Sequence, residues 1–153
     1  MRYLECFPML LDGDRDFLGQ LRSAFESAGV PSEQIRSYPD GEVALRILES
    51  TSTQLGPPMK APPSFVLLDL DLPGKSGLDV LQWMRTRAAF KELPVFVLSA
   101  NRKPDLIMRA LDLNIRSYFQ KPDVPSELQP IVHGMLAHWF RRSQGPLGPK
   151  DGG

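Results

Sequence analysis

Three short apolar runs, each breaking into polar turn residues, constrain the fold most: "PMLL" before "DGDRD", "SFVLL" before "DLDLPG", and "LPVFVLSA" before "NRKPD". Continuous runs of this kind, rich in Val, Leu and Phe, suit strands buried on both faces, as in a parallel sheet covered by helices. Helix-period patterns lie between them. Phe17, Leu21, Phe25 and Ala28 form one, Leu78, Leu81 and Met84 a second, and Ile107, Ala110 and Leu111 a third, each expected to face a sheet. Ser76 is placed to cap the second helix, and Gly29 stands where the first should stop. Weaker strands at "QIRSY" and "RSYFQ" complete five strand–helix units, so the expected class is α/β with a parallel sheet. A last helix, from about Ser126 to Arg142, carries Leu128, Ile131, Val132, Met135, Leu136, Trp139 and Phe140 on an apolar face broader than one sheet contact needs.

At 153 residues and 42% hydrophobic content the chain supports one core, assigned to residues 1–142. The Pro-rich stretch 51–64 reads as a flexible insertion and 143–153 as a disordered tail. Pro8 and Pro130 each remove a backbone donor, so the first strand and the last helix are expected to start later than their patterns suggest. Lys+Arg 18 balances Asp+Glu 18, which leaves no overall field for nucleic acid or an anionic membrane, and no local basic patch stands out in the sequence. The single cysteine, Cys6, reads as a core thiol in a reducing compartment. With no apolar run of membrane-spanning length and no signal-peptide pattern at the start, the expected location is the cytoplasm.

In an open α/β sheet, function collects beyond the carboxyl ends of the strands, where strand order reverses. Asp12, Asp69, Ser99 and Lys121 end the apolar runs, and the last three lie thirty and then twenty-two residues apart, about one strand–helix unit each. All four can therefore converge on one pocket. A carboxylate attacks a phosphoryl group once a divalent cation held by neighbouring acids offsets the second negative charge. Lys121 would cover another phosphoryl oxygen and Ser99 would donate to a third.

The motifs "PMLLDGDRDFL", "FVLLDLDLPGKSGLDVL", "PVFVLSA" and "SYFQKP", in that order, resemble those of the receiver domain of two-component response regulators. The likeness spans residues 8 to about 140. The Pro-rich stretch, the "LPGKSG" turn and the ending "HWF" are similar to stand-alone, chemotaxis-type receivers that partner bacterial phytochrome kinases. The resemblance implies a flavodoxin-like, doubly wound sheet of order 2-1-3-4-5. It implies Asp69 as phosphoacceptor, Asp12 as one of an acidic pair, Ser99 as switch hydroxyl, Lys121 as the lysine before a proline, and Tyr118 as the aromatic that reports modification. Magnesium would be held by Asp12, Asp69 and the backbone carbonyl of Asp71. The expected partners are a histidine kinase or phosphotransfer protein, a downstream protein, and a second copy met through the last helix and the strand bearing Tyr118, with no nucleic acid and no membrane. The protein would not be a turnover enzyme.

One position departs from the pattern: Gly13 stands where the family usually has a second acid, so magnesium binding is expected to be weak. Asp14 reads as a helix cap. Two alternatives stay open. One is a pseudo-receiver adaptor that works without phosphorylation, supported by Gly13. The other is a haloacid-dehalogenase-type phosphatase, in which "DLDL" supplies nucleophile and general acid–base; against it, that motif belongs on the first strand of a longer chain and requires a later acidic pair, whereas only Asp123 and Glu127 follow Lys121 here. Taken singly, Ser99 reads as a turn residue, Tyr118 as core, and His133 and His138 as partly solvated positions without ligand-spaced partners.

Overall fold

The computed structural model describes residues 3, 5–53 and 62–144. The chain alternates β1 (Pro8–Leu11), α1 (Arg15–Ser27), β2 (Arg36–Tyr38), α2 (Gly41–Thr53), β3 (Phe65–Leu68), α3 (Gly77–Arg85), β4 (Val95–Ser99), α4 (Pro104–Asp112), β5 (Ser117–Gln120) and α5 (Leu128–Gln144). All strand pairs are parallel, in the order β2-β1-β3-β4-β5. This is the expected flavodoxin-like arrangement. Strand order reverses between β1 and β3, so the crevice lies where those two strands end.

Every residue of β1, β3 and β4 is buried, and side-chain alternation sends each to one of two layers. Leu10, Phe65, Leu67, Phe96 and Leu98 meet Phe25 of α1 and Val132, Met135 and Leu136 of α5. Met9, Leu11, Val66, Leu68, Val95 and Val97 meet Leu48 of α2, Leu81 and Met84 of α3, and Ala110 of α4. The first layer is stitched by rings: Phe65 stands edge-on to Phe96 with centroids 5.7 Å apart, and Phe25 lies 6.1 Å from Phe65. Cys6 is fully buried in this layer, and burial pushes its thiol up to about 12, which makes it the inert core thiol expected.

Helix ends follow their chemistry. Asp14 caps α1 by accepting from Asp16 and Phe17 N–H, Ser76 caps α3 by accepting from Asp79 N–H, and Gly29 leaves α1 at φ +107°. Pro130 falls in the first turn of α5, where its missing N–H costs nothing, because the α-helix begins at Leu128 after a 3₁₀ turn at Pro125–Glu127. Pro8 did not delay its strand. It is the first residue of β1, a position that tolerates proline.

Four expectations need correction. Leu111 does not face the sheet: it is 48% exposed and Met108 57%, because the inward stripe of α4 is Leu106 and Ala110, continued by Leu113 just past the helix end. Ile107 is half-buried and belongs to neither core cluster. The insertion begins later than residue 51, since α2 runs to Thr53, and at its other end Ser64 is fixed to Phe7 by two hydrogen bonds of 2.8 and 2.9 Å. Residues 54–61 lie outside the described residues, as do 145–153 of the expected tail, whose first two residues belong to α5. Most of the wide apolar face of α5 is absorbed by the fold, which leaves Trp139 and Phe140 half-buried at its end. Met135 is fully buried, and Trp139 packs 6.4 Å from the Tyr3 ring.

Candidate functional site

Asp12 and Asp69 directly follow β1 and β3 at the reversal point, and their strands are already in register from Pro8↔Phe65 to Leu11↔Leu68. The two carboxylates are 2% and 6% exposed at residue level, a placement that needs a compensating charge. Lys121 supplies it from the end of β5. Its Nζ lies 2.9 Å from Asp12 Oδ2 and 3.2 Å from Asp69 Oδ2, with the Phe17 ring centroid 4.5 Å away. The backbone fixes this reach, because Lys121 N–H donates to the Ser99 carbonyl and Asp69 N–H to that of Leu11.

Two carboxylates thus share one ammonium. Burial pulls the lysine down, but the hydrogen bond and charge of Asp12, joined by Asp69, outweigh it and hold Lys121 above its ordinary value. Burial also raises Asp12, against the pull of the Asp14 amide and Lys121, while the charge of Asp69 adds to the rise. The pocket therefore keeps an uncompensated negative charge. Its oxygens form a hard donor set that suits a divalent cation. Among the described residues no cluster of three or more His, Cys, Asp or Glu is arranged for metal, so a cation here would lean on Asp12, Asp69, main-chain oxygen and water.

Gly13 explains why no third acid stands beside them. A Cβ at this position would come 2.7 Å from Cδ of Pro73, closer than packed atoms tolerate. Asp14 does not fill the gap, because its carboxylate is occupied in capping α1. The loop after Asp69 is clamped from several sides: Gly41 N–H donates to Pro73 O, Gly74 takes φ +79° against Asp40, and a Cβ on Gly77 would strike the Asp69 carbonyl at 2.1 Å.

The remaining predicted residues line one wall. Ser99 is fully buried at the end of β4 and its Oγ accepts from Asn101 N–H at 3.1 Å. Tyr118, half-buried, donates its hydroxyl to the Asn101 carbonyl. Asp71 is exposed; its N–H donates to Asp69 Oδ1 at 3.1 Å and its Oδ1 accepts from Asn101 Nδ2 at 3.1 Å. Asp12, Asp69 and Lys121 meet directly, Ser99 and Tyr118 are joined through Asn101, and Asp71, expected to serve only through its backbone carbonyl, turns its side chain to Asn101. Sequence reasoning missed Asn101, the residue that joins Asp71, Ser99 and Tyr118. Its signal was its spacing, two residues after Ser99 as Asp71 is two after Asp69. The aromatic seat of Lys121 was also missed, because Phe17 at helix spacing reads as core. His133 is exposed as expected, whereas His138 is half-buried with Nε2 enclosed and without a partner.

The "Response regulator receiver domain" family model matches residues 9–133. Response regulator Rcp1 of Synechocystis sp. is 29% identical over 101 residues, 66% of this chain and 67% of that protein. The crystal structure of the phosphorylated cyanobacterial phytochrome response regulator RcpA superimposes with a TM-score of 0.74 at 26% identity, covering 88% of this chain and 94% of the other. The Mn(2+)-bound form of Rcp1 gives 0.71 at 22% identity over 88% and 94%. Among the described residues no helix is long and apolar enough to cross a membrane.

Proposed function

The chain belongs to the response regulator receiver domain family of two-component signalling, and we propose that it accepts a phosphoryl group on Asp69 from a histidine kinase or phosphotransfer protein and signals by binding a protein. The observation that carries this reading is the single Lys121 ammonium bridging Asp12 and Asp69 at the strand reversal. An Asp69 oxygen forms the new bond to phosphorus while the donor's bond to phosphorus breaks and the departing donor nitrogen takes up a proton. Lys121 then exchanges part of its ion pairing for a phosphoryl oxygen, and Ser99, freed from Asn101 N–H, donates to another. When bound at Asp12, Asp69 and the Asp71 carbonyl, magnesium supplies neutralising charge for the incoming phosphoryl oxygens.

A donor has a surface beside the acid. Gly19, Ser23 and Ala24 of α1 face Pro125 and Ser126 across an open groove of about 440 Å³, which begins at Asp16, close to the end of β1. Gly19 and Ser23 keep part of that face low, and Gln20 and Gln129, which also line it, offer amides to a partner. The signal leaves on the opposite flank, where Tyr118 and Ser99 share Asn101 with the start of α4. A homodimer through α5 rests on Trp139 and Phe140 alone, since Met135 is core.

Incubation with a small phosphodonor and magnesium, followed by intact-mass measurement, tests the reading. One phosphoryl group should add to the wild type and none to Asp69→Asn. A wild type that gains nothing in excess magnesium makes the chain a pseudo-receiver, a reading favoured by the missing acid at Gly13.

A further inference from the structure

The parallel sheet gives the molecule two chemically different ends. Strands run toward Asp12, Asp69 and Lys121, so whatever precedes β5 or ends α5 lies at the far end. Arg116 immediately precedes β5, its N–H donating to the Val95 carbonyl at 2.8 Å. Ser117 is in register with Phe96, and the Phe96 ring stands edge-on to His138 with centroids 5.6 Å apart. The next turn of α5 carries Arg141 and Arg142, both exposed. Three arginines and a histidine, separated in the chain, thus gather where β5 begins and α5 ends.

This gathering lacks internal compensation. Arg116 Nε and His138 Nε2 are both buried without a hydrogen-bond partner, and among the described residues no ion pair involves Arg116, Arg141 or Arg142. Burial lowers His138, and the charges of Arg116, Arg141 and Arg142 lower it further. Arg85, close enough to be affected by Arg116, is differently placed. It donates to the carbonyls of Leu113, Phe90, Lys91, Leu93 and Asn114, so it holds the loops together, and the nearby acid Glu92 acts on it. The C-terminal dipole of α5 gives Arg141 and Arg142 a structural reason to be there. It gives none for Arg116 on the neighbouring strand, where a like charge only adds repulsion.

We propose that this end of the fold is a docking surface for an acidic peptide segment of a partner protein, gripped by Arg116, Arg141 and Arg142 beside Trp139 and Phe140. Arginines next to half-buried aromatic rings are the composition of a protein-binding centre. Nucleic acid and anionic membrane fit less well, because the chain as a whole has no net charge and the opposite end keeps an uncompensated carboxylate.

Binding is measured on the unmodified full chain, so the result does not depend on whether Asp69 accepts phosphate. The probes are a fluorescent glutamate-rich peptide, its glutamine counterpart, a short DNA duplex, and vesicles containing phosphatidylserine. The glutamate peptide should bind at low salt, and the glutamine peptide should not. Each of Arg141→Gln and Arg142→Gln should weaken binding about threefold, and the triple variant with Arg116→Gln about tenfold or more. The two exposed positions keep the test valid if Arg116→Gln disturbs the fold, which circular dichroism would reveal. No binding of the glutamate peptide, unchanged binding in the Arg141 and Arg142 variants, or tighter binding of duplex or vesicles would each overturn the proposal.

Discussion

The two layers on either side of the sheet are built to different standards. On the α1/α5 side, Phe25, Phe65 and Phe96 interlock at the centre and Tyr3 and Trp139 close the rim. On the other side α2 and α3 pack mostly aliphatic side chains, apart from Trp83 beside Phe90, but α4 contributes Ala110 as its one buried residue, with Leu106 and Leu113 half-buried beside it. The weakly held helix follows the loop in which Asn101 meets Ser99, Asp71 and Tyr118. Local stability follows buried apolar contact, so a rearrangement at the end of the sheet that carries Asp12 and Asp69 moves α4 far more cheaply than α1 or α5. The ring-packed layer is the rigid one, and the thin layer yields first.

Core truncation should expose this difference most sharply. Phe65→Ala removes the ring that touches both Phe25 and Phe96 and should cost about 3–5 kcal/mol. Leu111→Ala on the outer face of α4 should cost about 0.5 kcal/mol or less, as surface changes do. Urea denaturation of both variants checks the contrast. A large loss in Leu111→Ala would mean that α4 is anchored by contacts other than Ala110, Leu106 and Leu113.

The same contrast explains what could be read from the sequence. Strands buried on both faces leave unbroken apolar runs, so β1, β3 and β4 were legible, and with them the carboxylates that follow two of those strands. The α4 stripe was misread because Leu111 next to Ala110 is as apolar as a core residue. In a helix a neighbour in sequence points about 100° away, and only the observed packing tells which of the two faces inward. The Arg116 cluster was invisible for a related reason. Its members are isolated charges in sequence, brought together only by β5 and α5 meeting at one end. Gly13 was legible as a missing acid but not as a close approach, since Pro73 lies sixty residues further along the chain.

Gly13 sharpens the comparison from the rigid side. A restored acid would add a ligand for magnesium, but with Pro73 Cδ 2.7 Å from where its Cβ would stand, Gly13→Asp has to displace a loop clamped by Gly41, Gly74 and Gly77. Overpacking of this kind should cost about 1–3 kcal/mol without metal. Gly13→Asp with Pro73→Ala should recover part of that loss, and magnesium should stabilise the double variant more than either single one. Denaturation with and without magnesium measures both effects. A Gly13→Asp protein as stable as the wild type would show that the loop yields easily and that the acid end is not rigid.

The smallest effect tests whether the acid end and the α4 edge communicate by charge alone. Burial raises the Tyr118 hydroxyl above the ordinary tyrosine value; a hydrogen bond with Ser99 pulls it back, and the charges of Asp71 and then Asp69 push it up. A raised value means that the folded protein holds the proton more tightly than the unfolded chain. The stabilisation is complete below the ordinary tyrosine value and is lost as pH rises through the folded one. Asp71→Asn removes one of the two charges while keeping an oxygen to accept from Asn101 Nδ2, so the latch geometry survives and the Tyr118 midpoint should move down. Ultraviolet difference titration follows it, with Tyr118→Phe identifying its contribution among the three tyrosines. Leu111→Ala, which alters packing at the far side of α4 but no charge, should leave the midpoint in place. If Asp71→Asn leaves it unmoved while Leu111→Ala shifts it, the link between the two regions runs through packing, and α4 is not the independent, weakly held element that its single buried residue indicates.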